Sequence, residues 1–275
     1  MNMKDVLKDK LTEKELAQVP RAFDIVGDVA IIEIPDELRK HRKKIAEALA
    51  KVNSNVRAVC NKKTGRSGDY RLNDIEVLLG KNTETEHREN GCRFRLDVRK
   101  AYFSVRESTE RQRIGGMIKP GENVLVMFSG VGPSPVVYAK MQPGLNKVYG
   151  VELNPDAHRY ARENVRINRV QAKVVPVCGN VRKTVPKLGV KFDRIAMPLP
   201  KGAHEFLDVA FGAAKKNGVI HFYHFDFENV LYDRALEYVH NAALKAKKKV
   251  KILDKRKVLP YGPRIWKICV DFRVL

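Results

Sequence analysis

The chain has 275 residues of which 44% are hydrophobic, enough to bury a substantial core in one large domain or in a core domain with a smaller companion, so disorder is not the default. Lys and Arg number 53 against 32 Asp and Glu, and the formal net charge of +21 points to a polyanionic partner, most simply nucleic acid. The charged start MNMKDVLKDK and the lack of any apolar run of the ~18 residues that a span needs argue against a membrane segment or secretory signal, and hence for the cytoplasm.

In chain order, DIVGDVAIIEI (24–34) carries a strand signal around Gly27-Asp28, and HRKKIAEALAKV (41–52) predicts a helix with Ile45, Leu49 and Val52 on one side. Cys60 lies in the next strand signal, VRAVC (56–60), followed by IEVLLG (75–80), ETEHREN (84–90) and CRFRLDV (92–98). The last two read as a hairpin across Asn90-Gly91. These short segments predict a small α+β domain over residues 1–100, leaving 101–275 for a second domain.

Beyond about residue 119 the rhythm becomes strand, loop, helix. Strands are expected at 123–128, 147–153, 172–178, 192–198 and 218–225, with helices at 134–141, 155–169, 202–216 and 228–248 between or after them. This alternation predicts a parallel sheet covered on both faces. Two final β-runs, 250–259 and 265–275, are joined across Pro260-Tyr261-Gly262-Pro263 without a helix, so one of them runs antiparallel to the rest. The layout resembles the class I, Rossmann-like, S-adenosylmethionine-dependent methyltransferase fold. The four cysteines, Cys60, Cys92, Cys178 and Cys269, are scattered without a CxxC or a Cys/His cluster at metal spacing, so no metal site is expected and the thiols suit a reducing compartment.

In such a sheet ligands bind beyond the carboxyl ends of the strands, where Phe128-Ser129-Gly130-Val131-Gly132 ends the first strand. Glycines there allow a ligand to lie on bare backbone. Glu152, followed by Leu153, ends the second strand, where a carboxylate can take both hydroxyls of a ribose. After Gly132 come Pro133, Ser134 and Pro135, with no third glycine and no cation, a poor match for pyrophosphate but compatible with S-adenosylmethionine. Asn180 and Val181, after the third strand, are placed to meet the adenine, although a plain turn role for Asn180 is equally natural. Pro198, Leu199 and Pro200 end the fourth strand, where methyltransferases acting on planar nitrogens carry Asn/Asp-Pro-Pro-aromatic. Pro198 lacks an amide, so its turn offers a substrate base backbone acceptors only.

DVRKAYFSVRESTERQRI (97–114) resembles the YFSPRLxTER stretch of the archaeal and eukaryotic tRNA guanine-37 N1-methyltransferase family. FSGVGP, VELNP (151–155), MPLPKGAHEFLDVA (197–210) and GDYRLNDIEVLLG (68–80) follow that family as well, so five separated motifs are shared from about residue 25 onward. The resemblance implies methyl transfer from S-adenosylmethionine to N1 of guanosine 37 in tRNA. It implies Glu110 as general base, Arg71 facing O6, and Tyr102 and Arg106 shaping the pocket for the flipped nucleotide. Without that context, Arg106 and Glu110 at i, i+4 would read as an ordinary helix ion pair.

Four positions depart from the family pattern. Val126 replaces an aspartate, Asn180 an acidic residue, Val105 a proline and Pro198 an asparagine. The length leaves no room for the separate N-terminal elbow-binding domain of full-length relatives, so tRNA docking is expected on residues 1–100 and the basic surface. Two alternatives share the architecture: the wybutosine-pathway aminocarboxypropyltransferases, and methylation of the wyosine intermediate at position 37. Tyr102, Arg106 and MPLP favour methyl transfer over the former. A silent RNA-binding module that has lost cofactor binding is the third reading. No protein partner is evident.

Overall fold

The computed structural model describes residues 2–63, 70 and 72–275. The chain divides into two compact units, Met1–Val105 and Arg106–Leu275. The division falls after Val105 rather than at residue 100. Phe103 stays with the first unit, its ring 5.1 and 5.9 Å from those of His87 and Phe94.

The first unit opens with two short helices that the apolar pattern does not predict, α1 (Met3–Leu7) and α2 (Glu13–Gln18). Each starts on a capping box, Asn2 with Asp5 and Thr12 with Glu15. The strand signal at 24–34 becomes a hairpin, β1 (Phe23–Val26) and β2 (Val29–Ile32), that reverses at Gly27. Gly27 has φ +58°, and a Cβ there would lie 2.2 Å from Thr85 Oγ1, so the turn requires glycine. Helix α3 (Arg42–Val52) buries Ile45, Ala46, Ala48 and Leu49 and crosses over to β3 (Ala58–Lys62), which lies parallel to β2. With β4 (Ile75–Leu79) these strands form a sheet in the order β1-β2-β3-β4. A separate hairpin, β5 (Glu84–Glu89) and β6 (Cys92–Asp97), turns on Asn90 and Gly91, both at positive φ as a two-residue Asn-Gly loop demands.

The second unit runs α4 (Ser108–Met117), β7 (Asn123–Met127), α5 (Pro133–Met141), β8 (Lys147–Glu152), α6 (Pro155–Ile167) and β9 (Val174–Cys178). It continues with α7 (Val181–Thr184), β10 (Phe192–Met197), α8 (Leu207–Ala213), β11 (Ala214–Phe227), α9 (Asp233–Lys245), β12 (Val250–Gly262) and β13 (Ile265–Val274). The seven strands form one sheet in the order β12-β13-β11-β10-β7-β8-β9. Strands β7 to β11 are parallel to their neighbours among themselves, and β13 is the antiparallel member of the terminal hairpin. This is the expected open α/β sheet. Its order reverses between β7 and β10, so the carboxyl ends of those strands open the crevice in which such sheets bind ligands. The core on one face joins Leu125, Phe192, Ile195, Ile220, Phe222 and Phe272 to α8 and α9. Among the described residues no helix is long and apolar enough to cross a membrane.

Candidate functional site

The crevice is built from three turns laced together by hydrogen bonds. After β7 the chain passes through Phe128, Gly130 and Gly132 at φ +60°, +56° and +83°. Two of these are glycines, which adopt that region without strain. Phe128 does not, and a side chain at positive φ beside a ligand crevice is the kind of stored strain found at functional positions. Gly132 is also the N-cap of α5, and a Cβ there would touch Ala161 Cβ at 3.4 Å. Ser129 is buried, and its N–H donates to the Val151 carbonyl at 2.9 Å, tying the first turn to the second strand.

Glu152 closes this lacing. Its Oε2 accepts from the Gly130 N–H at 2.7 Å and its Oε1 from the Asn154 N–H at 2.8 Å. Burial raises its carboxyl above the ordinary value, and the N–H groups of Asn154, Gly130 and Leu153 oppose that shift. The Glu152 carbonyl accepts from the Gly179 N–H at 2.8 Å, which brings the third turn alongside. Asn180 is the N-cap of α7, its Oδ1 accepting from the Arg182 N–H at 2.9 Å, and Val181 is buried as the first residue of that helix. The Asn180 amide nitrogen takes no part in the cap. With no cation in the glycine turn and a carboxylate between the first two turns, the crevice suits a neutral or cationic polar ligand with hydroxyls rather than a phosphate.

The fourth turn follows β10. The Leu199 N–H donates to the Met197 carbonyl at 2.7 Å, tightening the chain around Pro198, and Leu199 packs against the core. The His224 ring on β11 lies near the Pro200 carbonyl. Burial pushes His224 down to about 4, helped by His204 and Arg234 nearby, so the ring is neutral near pH 7.

Beside this turn lies a layer of buried charge. Phe222 pairs with Met197 across the sheet, which sets the next β11 residue, Tyr223, just past the end of β10. The Tyr223 hydroxyl donates to Glu110 Oε1 at 2.6 Å. Arg113, one turn along α4, donates to both Glu110 oxygens at 2.6 and 2.9 Å and to Asp271 Oδ2 at 2.6 Å. Asp271 Oδ1 in turn accepts from His221 Nδ1 at 2.6 Å, and His221 Nε2 accepts from Arg194 at 2.9 Å. Arg194 ends the chain in a fork on Glu122 and a bond to the Met117 carbonyl, the last residue of α4. A parallel bond joins Lys267 to Glu107 at 2.7 Å. Side-chain exposure is only 11% at Glu110, 10% at Arg113 and 4% at Asp271.

The tautomers follow from these partners. Burial lowers His221, against the pull of Asp271, so a neutral ring donates from Nδ1 and accepts at Nε2. Asp271 is held well below the usual carboxylate range by His221 and Arg113 although burial opposes it. Burial pushes Tyr223 and Cys269 up, which keeps both neutral. The layer joins Arg113, Arg194 and Lys267 to Glu107, Glu110, Glu122 and Asp271 in direct ion pairs, and Arg111 is buried on the same helix. His221, Cys269 and Asp271 also set donor atoms within 4.8 Å of one another. Two guanidiniums already occupy that cluster, which favours a hydrogen-bond network over a cation site.

The four turns and Glu110 therefore belong to one unit and to the carboxyl end of its sheet. Arg106 lies exposed on the turn that leads into α4, and the ion pair that Glu110 makes is with Arg113 at i+3. Tyr102 belongs to the first unit, and Arg71 lies outside the described residues. Arg113, Tyr223, Asp271 and His221 were not foreseen. The signal for the last three is in VIHFYHF and IWKICVDF, where polar residues recur at every second position of strands too apolar to be exposed.

Residues 85–253 match the TRM5/TYW2 methyltransferase domain and residues 3–83 the TYW2 N-terminal domain. The chain is 44% identical over 257 residues to tRNA (guanine(37)-N(1))-methyltransferase Trm5b of Pyrococcus abyssi, covering 93% of this chain and 76% of that protein. It is 33% identical to the tRNA(Phe) (4-demethylwyosine(37)-C(7)) aminocarboxypropyltransferase of Methanocaldococcus jannaschii, covering 90% and 96%. The crystal structure of P. abyssi Trm5b superposes with a TM-score of 0.87 at 43% identity over 96% of this chain and 78% of that one. The complex of aTrm5 with tRNALeu also gives 0.87, at 31% identity over 100% and 78%. M. jannaschii TYW2 in complex with AdoMet gives 0.70, at 29% identity over 92% and 99%. With the matched domain spanning more than half of its residues, the chain belongs to the TRM5/TYW2 methyltransferase family.

Proposed function

We propose that this protein methylates N1 of guanosine 37 in tRNA from S-adenosylmethionine, with Glu110 receiving the N1 proton. The observation that carries the reading is the buried Glu110 carboxylate, fixed by Tyr223 and Arg113 beside the Met197–Pro200 turn. The likeness to Trm5b of P. abyssi supports the substrate and reaction.

The residues fit the cofactor. Phe128, Ser129, Gly130 and Gly132 would hold its methionine and ribose end, Glu152 and Leu153 its ribose hydroxyls, and Asn180 and Val181 its adenine. When bound, S-adenosylmethionine supplies an electrophilic methyl group on a sulfonium. Guanine N1 carries a proton at neutral pH, so its lone pair becomes available only as that proton leaves. Glu110 takes the proton, and Arg113 stays paired with Asp271 when it does. With the proton on Glu110, the N1 lone pair would be free to accept that methyl group. Pro198, Leu199 and Pro200 would present backbone to the base and Arg106 would hold the flipped nucleotide; the roles of Tyr102 in the pocket and of Arg71 toward O6 rest on the family resemblance alone.

A second reading, transfer of the cofactor's aminocarboxypropyl group to position 37, draws on the match of residues 3–83 to the TYW2 N-terminal domain. Nucleoside mass spectrometry separates the two after incubation with S-adenosylmethionine and tRNA transcripts carrying G37 or A37. The expected product is N1-methylguanosine on the G37 transcript alone. Failure there, with an aminocarboxypropyl mass gain on tRNA bearing the tricyclic intermediate, would establish the second reading instead. Glu110→Gln is expected to lower methyl transfer by about 10² to 10⁴-fold while leaving cofactor affinity by calorimetry unchanged. Turnover within a few-fold of wild type would remove Glu110 as the base.

A further inference from the structure

The edge of the large sheet carries a strip of positive charge that the crevice does not use. From Lys245, at the end of α9, to Lys257, within β12, the chain presents Lys245, Lys247, Lys248, Lys249, Lys251, Lys255, Arg256 and Lys257, all exposed. The one acid in that stretch is Asp254, which pairs with Arg256. β12 is the outermost strand of the sheet, so nothing in the sheet covers its far side. Across the β12–β13 ladder Lys251 pairs with Arg273, which adds a further exposed cation at the same end.

Two ordinary roles for lysine account for only part of this strip. Edge strands carry lysine to block pairing with another sheet, but Lys245, Lys247, Lys248 and Lys249 precede the strand. A cation at a helix C-terminus complements the dipole, but one or two suffice within the last turn. The turn out of α9 gives a further sign. The Lys247 N–H donates to the Leu244 carbonyl and the Lys248 N–H to the Ala243 carbonyl, with Lys247 at φ +53°. Glycine is the usual residue at that left-handed position, so a lysine stands there against backbone preference.

We infer that this edge, from Lys245 to Lys257, is a docking surface for the sugar-phosphate backbone of the tRNA stem next to the loop that enters the crevice. The inference rests on the reading of the substrate as tRNA. Charge complementarity selects the occupant, since eight exposed cations against one acid, with Leu244 and Leu253 the large exposed apolar side chains among them, suit a row of phosphates better than a protein interface. Distance agrees. Lys251 lies level with Val219, four residues before Tyr223 along β11 and two strands across, which is about 13 Å by about 10 Å from the Glu110 end. A base splayed from a hairpin loop has the backbone of its own stem within that range.

The test uses the full chain with Lys247, Lys248, Lys249 and Lys251 all changed to Gln, and the same four changed to Arg. Binding to a tRNA transcript is measured by fluorescence anisotropy over a salt series, and S-adenosylmethionine binding by calorimetry. The Gln variant is expected to bind the transcript at least 10-fold more weakly, with a shallower salt slope and unchanged cofactor affinity, and the Arg variant to restore binding. Unchanged tRNA affinity and slope in the Gln variant would overturn the proposal, as would a loss that Arg fails to restore. If the wild type binds the transcript through these lysines yet modifies no position 37, the docking surface stands and the proposed reaction falls. If the wild type does not bind the transcript at all, both fall.

Discussion

At the scale of the residue, His224 shows how burial sets a charge state beside the Met197–Pro200 turn. Its Nδ1 is buried without a hydrogen-bond partner. A protonated ring would place a second N–H, and a charge, in a pocket that already faces Arg234 and His204. Its value therefore falls from 6.5 to about 4, so the unfolded chain binds the proton more readily than the folded one between those limits. The stability this represents is fully present above pH 6.5 and is lost as pH falls toward 4. Other groups shift as well, with Glu152 and Asp226 raised by burial and His221 lowered, and a single stability curve would mix them. The difference between wild type and His224→Phe cancels the rest. Urea unfolding is expected to show the wild type losing ground to the variant by up to ~1.4 kcal/mol per pH unit as pH falls through that window. A difference independent of pH would show that the His224 ring is not held neutral by the fold.

Among the elements, α4 decides where Glu110 stands, and apolar burial does little to hold it. Its buried residues are Arg111, Ile114 and Gly115, and its last carbonyl is caught by Arg194 from β10. At its start Glu107 meets Lys267 from β13, and Glu110 and Arg113 reach β11 and β13. This is why the helix was illegible by periodicity. A helix seated on a polar layer lacks the apolar stripe that marks one seated on a core. The STER motif was legible as a resemblance, and so was Glu110, but of the two side chains that fix Glu110 one, Tyr223, comes from a strand more than a hundred residues later, and the other, Arg113, is held by Asp271 from a second such strand. The glycine turn and Glu152 were easier to read, because both lie at strand ends where the sequence changes abruptly from apolar to polar. Arg194→Gln is expected to strand Glu122 and the Met117 carbonyl in a buried setting and to cost about 3 kcal/mol in urea unfolding. It should also slow turnover more than it weakens cofactor binding, because α4 carries the proposed base and none of the residues proposed to hold the cofactor. Stability within 0.5 kcal/mol of wild type, about the effect of a surface change, would show that the polar layer does not anchor the helix.

For the molecule as a whole, the strand-helix rhythm after residue 119 yielded the parallel sheet and the terminal hairpin because each covered strand is a short apolar run between glycine- or proline-marked turns. Composition gave the charge but not its placement, since placement depends on which strand becomes the edge. The net charge of +21 and the phosphate-free crevice now make opposite demands on two ligands of one protein. tRNA binding releases counterions in proportion to the phosphates neutralised, so its affinity falls steeply with salt. For about six to ten phosphate contacts, raising salt from about 50 to about 200 mM lowers affinity by roughly 10³ to 10⁵-fold. S-adenosylmethionine carries no phosphate, and the groups proposed to hold it are backbone amides, a buried carboxylate and an amide side chain, none of which sheds a condensed counterion. Its affinity is expected to change less than about twofold over the same interval, which calorimetry at two salt concentrations would measure beside anisotropy with a tRNA transcript. A cofactor affinity that fell in step with the RNA affinity would mean that a phosphate occupies the glycine turn, and the reading of the crevice would have to change with it.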